Sequence, residues 1–139
     1  MKNRIISGAG AITAGLLIAL GPQFIFKLCP AGADGHWMAC HWTGQAEIGT
    51  GLLLAALGLG LLWFSSPEVR LGLNMAAVLA ALLALALPAV LIGGCGMEIM
   101  PCRAFTFPWL SVISILSAAA LALNAFYLYR LRGKETGRP

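Results

Sequence analysis

The chain has 139 residues, 60% of them hydrophobic and only 10% charged, with a formal net charge of +4. Soluble domains hold roughly 45–50% apolar and 25% charged residues, so this composition excludes a soluble globular protein and indicates a membrane protein. The basic residues flank the apolar runs, so they anchor the chain at the membrane surface and give no sign of a nucleic-acid partner.

Four stretches carry no Asp, Glu, Lys or Arg: Ile5 to Phe26, Ile48 to Pro67, Leu71 to Met97 and Ala104 to Tyr129. A helix rising about 1.5 Å per residue needs about 20 residues to cross the hydrocarbon core, and each stretch is long enough. The predicted fold is an all-α integral membrane protein, a four-helix transmembrane bundle in a single four-span domain over residues 1–139. The expected helices run over about 5–26, 44–65, 70–93 and 107–129, with outer loops at 27–43 and 94–106 and a tail at 130–139. Seven basic residues (Lys2, Arg4, Arg70, Arg130, Arg132, Lys134, Arg138) fall on one side of such a bundle and two (Lys27, Arg103) on the other. By the positive-inside rule both termini are expected in the cytoplasm, with the protein multi-pass in the cytoplasmic (inner) membrane.

The first span also reads as a signal peptide, with Lys2 and Arg4 as a basic start and Ala19-Leu20-Gly21 as a cleavage site. Pro22 directly after that site argues for a retained helix. Ser7, Ala11, Gly15 and Ala19 give this helix a small-residue stripe on which another helix can pack closely in lipid. The second helix is expected to start after Thr43 as N-cap and carries two small pairs, Gly51 with Ala55 and Ala56 with Gly60. A kink is expected in the third at Pro88. The fourth starts near Pro108 and repeats the small stripe through Ser114, Ala118 and Ala122. Asn74 and Asn124 read as interhelical hydrogen-bonding residues. Aromatic residues mark two interfaces: Trp37, Trp42, Phe105, Phe107 and Trp109 at one, and Trp63, Phe64, Phe126, Tyr127 and Tyr129 at the other.

Every Cys and His lies in the two outer loops. Their layouts match: Cys29-Pro30 then Met38-Ala39-Cys40-His41, and Cys95-Gly96 then Met100-Pro101-Cys102-Arg103. This points to a parallel duplication of a helix-loop-helix unit, with the loops side by side on one face. The segments CHWTGQAEIGTG (residues 40–51) and CGMEIMPCR (residues 95–103) resemble a family of small four-span bacterial membrane proteins known as domain of unknown function 4418. The resemblance covers nearly the whole chain and rests on Cys29, Met38, Cys40, His41, Trp42, Glu47, Cys95, Met100 and Cys102. It implies the four-span architecture and assigns no activity, cofactor or catalytic residue.

Three readings of the cysteines stand open. As disulfides, Cys29 with Cys40 and Cys95 with Cys102 would close loops of about 12 and 8 residues and contribute about 2–3 kcal/mol each. As a soft-metal site, copper-like in preference, His36, Met38, Cys40, His41, Met97, Met100 and Cys102 would supply sulfur and imidazole ligands. As a membrane thiol-disulfide oxidoreductase working with quinone, Cys40 beside His41 and Cys102 beside Arg103 would be the activated thiols. The first reading gives an accessory or binding subunit with a cysteine-braced outer face, plausible in a transport or envelope complex. It expects no cofactor and no catalysis. Its partners are the lipid bilayer and a membrane protein such as a transporter. Trp37, Trp42, Glu47 and Arg103 form its expected partner or ligand face, with Glu47 paired to Arg103 across the two halves.

Overall fold

A computed structural model describes residues 2–25, 32–94, 96, 99 and 102–137, without the side chains of Cys102, Glu135 and Thr136. Four helices are long and apolar enough to cross a membrane: Lys2–Ile25, Ala39–Trp63, Pro67–Leu91 and Arg103–Lys134. Helix α1 is Lys2–Leu20, continued by a π-helical turn Gly21–Ile25; α2 is Ala39–Trp63; α3 is Pro67–Ala86, continued by a second π-helical turn Leu87–Leu91; a third, Cys102–Thr106, leads into α4, Phe107–Thr136. The helices alternate in direction. One end of the bundle therefore holds the loops between α1 and α2 and between α3 and α4, and the other holds the termini and the short α2–α3 turn.

In lipid the apolar tails compete equally for apolar side chains, so helices associate where their backbones can come close enough for dense van der Waals packing. Between α1 and α2 they do. A Cβ on Gly15 would stand 2.5 Å from the Gly51 carbonyl oxygen and 2.6 Å from the Ala55 nitrogen, and one on Gly51 would stand 2.5 Å from the Ala19 nitrogen. One on Gly8 would stand 3.1 Å from the Gly58 oxygen. The small stripe of α1 is thus the seam with α2, with Gly8 taking the place expected of Ser7. Gly60 lies on another face of α2, against Leu73 of α3.

The two hairpins, α1–α2 and α3–α4, repeat one burial pattern. Gly8, Ala11, Gly15, Ile18 and Pro22 are buried, and so at one constant interval are Asn74, Ala77, Ala81, Ala84 and Pro88. On the return helices Thr43, Glu47, Gly51, Leu54, Gly58 and Leu61 are matched by Leu110, Ser114, Ala118, Leu121, Ala125 and Leu128. Both outgoing helices end in a π-helical turn with proline at its second position, where the missing N–H cannot serve the regular ladder. Asn74, the counterpart of Gly8, accepts a side-chain hydrogen bond from α4 where Gly8 packs closely on Leu62 and Gly58 of α2. Asn124 Nδ2 donates to Asn74 Oδ1 at 2.9 Å, as expected of these residues.

Three expectations are corrected. Helix α2 begins at Ala39, with Met38 as its N-cap, so Thr43 lies inside the helix. Helix α4 runs to Thr136, which makes most of the expected tail helical. Ala122 lies on the exposed face, because the buried row of α4 steps from Ala118 to Leu121. Around the ring, α1 and α4 meet least closely, and a groove of about 670 Å³ opens between them.

Gly15→Ala should destabilise the protein by about 1–3 kcal/mol, since the added methyl meets backbone that cannot yield. Gly10→Ala, with nothing within 4 Å of its would-be Cβ, should be neutral or stabilise by up to about 1 kcal/mol. Thermal melts in detergent compare the two; equal effects would contradict the α1–α2 seam.

Candidate functional site

The chemistry-bearing residues gather at the loop end of the bundle. Gly32 to His36 form a tight turn in which Gly35 N–H donates to the Gly32 carbonyl at 2.9 Å and Gly35 adopts φ +73°, a conformation suited to glycine. His36 and Trp37 are exposed, Met38 caps α2, and the helix then carries Ala39, Cys40, His41 and Trp42 around its first turn. Helical geometry sends these side chains in different directions. Cys40 is fully buried. His41 points outward, its ring stacked on Trp37 at 4.2 Å between centroids and edge-on to Trp42 at 5.6 Å. Trp37 and Trp42 remain 54% and 58% exposed, so the three rings form an open aromatic–imidazole platform. Cys40 thus faces the interior while the His41 ring lies in the stack between Trp37 and Trp42.

Behind the platform, Thr43 ties the two hairpins together. Its hydroxyl lies 2.9 Å from the Gly93 carbonyl oxygen, to which it donates, and 3.3 Å from that of Ala39. Gly93, at φ +75°, closes the π-helical turn of α3, with its N–H and that of Ile92 both donating to the Leu87 carbonyl. This clamp holds the outer end of α3 against the first turns of α2.

Glu47 follows one turn below Thr43, about 12 Å along the axis from the start of α2. Its side chain is fully buried, and neither carboxylate oxygen has a hydrogen-bond partner among the described residues. The expected pair with Arg103 does not form: Arg103 lies exposed on the π-helical turn before α4, while Glu47 faces the bundle interior. The residue at the equivalent place in the second hairpin is Ser114, also fully buried, whose hydroxyl likewise has no partner among the described residues. Other hydroxyls in the spans satisfy themselves. Thr13, Thr50 and Ser117 each donate to the carbonyl four residues earlier, at 2.9, 2.9 and 2.6 Å. Glu47 and Ser114 therefore stand out as polar groups kept in the interior without partners, at similar depth on two helices. Ser114 was read from sequence only as a small packing residue; its match in register to Glu47 was the available signal.

Of the expected soft-metal ligands, His36, Met38, Cys40 and His41 are described, at or just before the start of α2. Among the described residues no three His, Cys, Asp or Glu side chains converge. Cys29, Cys95, Met97, Met100 and the Cys102 side chain lie outside the described residues, and with them the pairing Cys95 with Cys102; Cys40 is described and carries no disulfide, so the expected pairing with Cys29 is not formed in this structure.

Residues 11–128 match the model of a family described as Domain of unknown function (DUF4418). No curated protein and no solved structure matches the chain.

An ion pair broken by removing one buried partner would cost about 3–5 kcal/mol, whereas removing an orphaned buried polar group relieves its desolvation cost. Glu47→Gln should therefore leave the melting temperature unchanged or higher, and Glu47→Leu should raise stability by about 1–3 kcal/mol. Thr43→Val, which strips the Gly93 carbonyl of its donor, should cost about 1–3 kcal/mol. A large loss in both Glu47 variants would contradict the unpaired carboxyl.

Proposed function

The chain belongs to the family DUF4418, and on that footing we propose that it is a small accessory or binding subunit of a transport or envelope complex in the bacterial inner membrane. Its termini face the cytoplasm, in keeping with seven of nine basic residues at that end, and its loop end is the recognition face. In an oxidising compartment Cys40, which carries no disulfide in this structure, would pair with Cys29, and Cys95 with Cys102, bracing that face.

The observation that carries this reading is Glu47, buried and without a partner among the described residues on the helix whose start bears the exposed Trp37–His41–Trp42 platform. An ionisable group inside a membrane span is costly to keep and is a functional candidate for that reason. Exposed tryptophans are the side chains that most often anchor an interface, since each offers a large rigid apolar area with one polar handle. The platform supplies docking area, and the carboxyl supplies an acceptor for a donor brought by the partner or its ligand.

A photo-crosslinking amino acid placed at Trp42 in cells should yield a discrete membrane-protein adduct, identified by mass spectrometry, that the same group placed at lipid-facing Val112 does not. Trp37→Ala should reduce that adduct severalfold. Adducts to lipid alone from position 42 would contradict the proposal. In the same preparation, intact mass after alkylation should show no modified cysteine before reduction and four after it; thiols that alkylate in the native protein would remove the disulfide brace.

A further inference from the structure

The opposite end of the bundle holds a second arrangement. Arg4, in the first turn of α1, reaches across to the α2–α3 turn just ahead of Arg70, which lies in the first turn of α3. Both are half-buried. Arg4 Nη1 donates to the Ser65 hydroxyl in the α2–α3 turn at 2.8 Å. Arg70 Nε and Nη2 are buried and have no acceptor among the described residues. Glu68, the acidic residue nearest in sequence, pairs instead with Arg132 at 3.6 Å. Two guanidinium groups thus flank the start of α3 with no carboxylate paired to either among the described residues, which is unfavourable unless an anion completes the cluster.

Further features match the missing group to a phosphate. Arg70 sits at the start of a 20-residue helix whose Ser66 cap makes no side-chain hydrogen bond, so the first N–H groups of α3 add positive potential where a basic side chain is otherwise disfavoured. The unused Nε and Nη2 of Arg70 are the two donors of one guanidinium edge, the edge that grips a phosphate bidentately. Ser65 directly follows Trp63 and Phe64, both exposed, which places the cluster at the height where aromatic residues meet lipid headgroups.

We propose that Arg4, Arg70 and Ser65 form a binding site for a phosphate oxyanion, supplied by the headgroup of an anionic phospholipid. The site ties α1 to the α2–α3 turn, so an occupied site staples the two hairpins together at the terminal end.

The test uses the full chain purified in a non-ionic detergent. Native mass spectrometry counts retained lipid, and thermal melts are recorded with added phosphatidylglycerol, phosphatidylcholine or sodium phosphate. Phosphatidylglycerol should be retained at one molecule per chain and should raise the melting temperature, while phosphatidylcholine does neither. Arg4→Gln and Arg70→Gln should each weaken phosphatidylglycerol binding about fivefold, in line with one basic contact. Arg70→Lys, which keeps the charge and loses the fork, should fall between wild type and Arg70→Gln. Arg130→Gln, outside the cluster, should bind as wild type. A melting rise from sodium phosphate alone supports the site and assigns it to free phosphate. Should Arg70→Gln not fold, Arg4→Gln and Ser65→Ala carry the test on an intact Arg70. Equal effects of the two lipids with no effect of phosphate would overturn the proposal, as would wild-type binding by Arg4→Gln.

Discussion

The closeness of two helix backbones is the constraint on which the rest of this molecule depends. Lipid offers no hydrophobic reward for bringing helices together, so the bundle needs surfaces where peptide groups touch. Gly15 and Gly51 provide the tightest, with Ala19 and Ala55 in the same contact. That seam sets the rotation of α2 about its own axis. Once it is set, the helical period dictates which residues face inward, and Thr43, Glu47, Leu54, Gly58 and Leu61 follow. The outward direction of His41 and Trp42 is the other half of the same consequence. The second hairpin uses the same rows with different chemistry, Asn74 accepting a hydrogen bond from Asn124 where its counterpart Gly8 packs closely on α2.

This packing explains how the bundle tolerates polar groups that weaken it. Most hydroxyls in the spans bond back to their own helix, and Thr43 bonds across to Gly93, so these add little cost. Glu47 and Ser114 do neither. They sit on equivalent positions of the two hairpins, toward the loop end of the bundle, without partners among the described residues. At the other end the imbalance is of opposite sign, with Arg4 bonded to Ser65 and two buried Arg70 donors lacking an acceptor among the described residues. The two ends are thus chemically distinct. One presents a buried acceptor on the helix that bears the rings, the other a pair of guanidinium groups at headgroup height.

Much of the architecture was legible in the sequence because it is written in one-dimensional signals. Charge-free runs marked four spans, the spacing of Gly and Ala marked the seams, and Asn74 and Asn124 were recognisable as lone amides in apolar helices. The start of α2 was misplaced because Thr43 resembles a cap, while its hydroxyl is used across the helices instead of along the chain. Pairing was the harder problem. Glu47 and Arg103 have opposite charges and nearby loops, yet the rotation that buries one leaves the other outside. Arg4 and Arg70 looked like ordinary membrane anchors, since nothing in a linear count of basic residues shows which of them flank the same helix start.

The central claim is that the loop end keeps an unpaired carboxyl sealed inside the packed bundle. Carbodiimide labelling followed by peptide mass mapping addresses it most directly. A water-soluble carbodiimide should modify the exposed Asp34 and Glu68 and spare Glu47, while a membrane-soluble carbodiimide should modify Glu47. Modification of Glu47 by the water-soluble reagent at the rate of Asp34 would contradict the account.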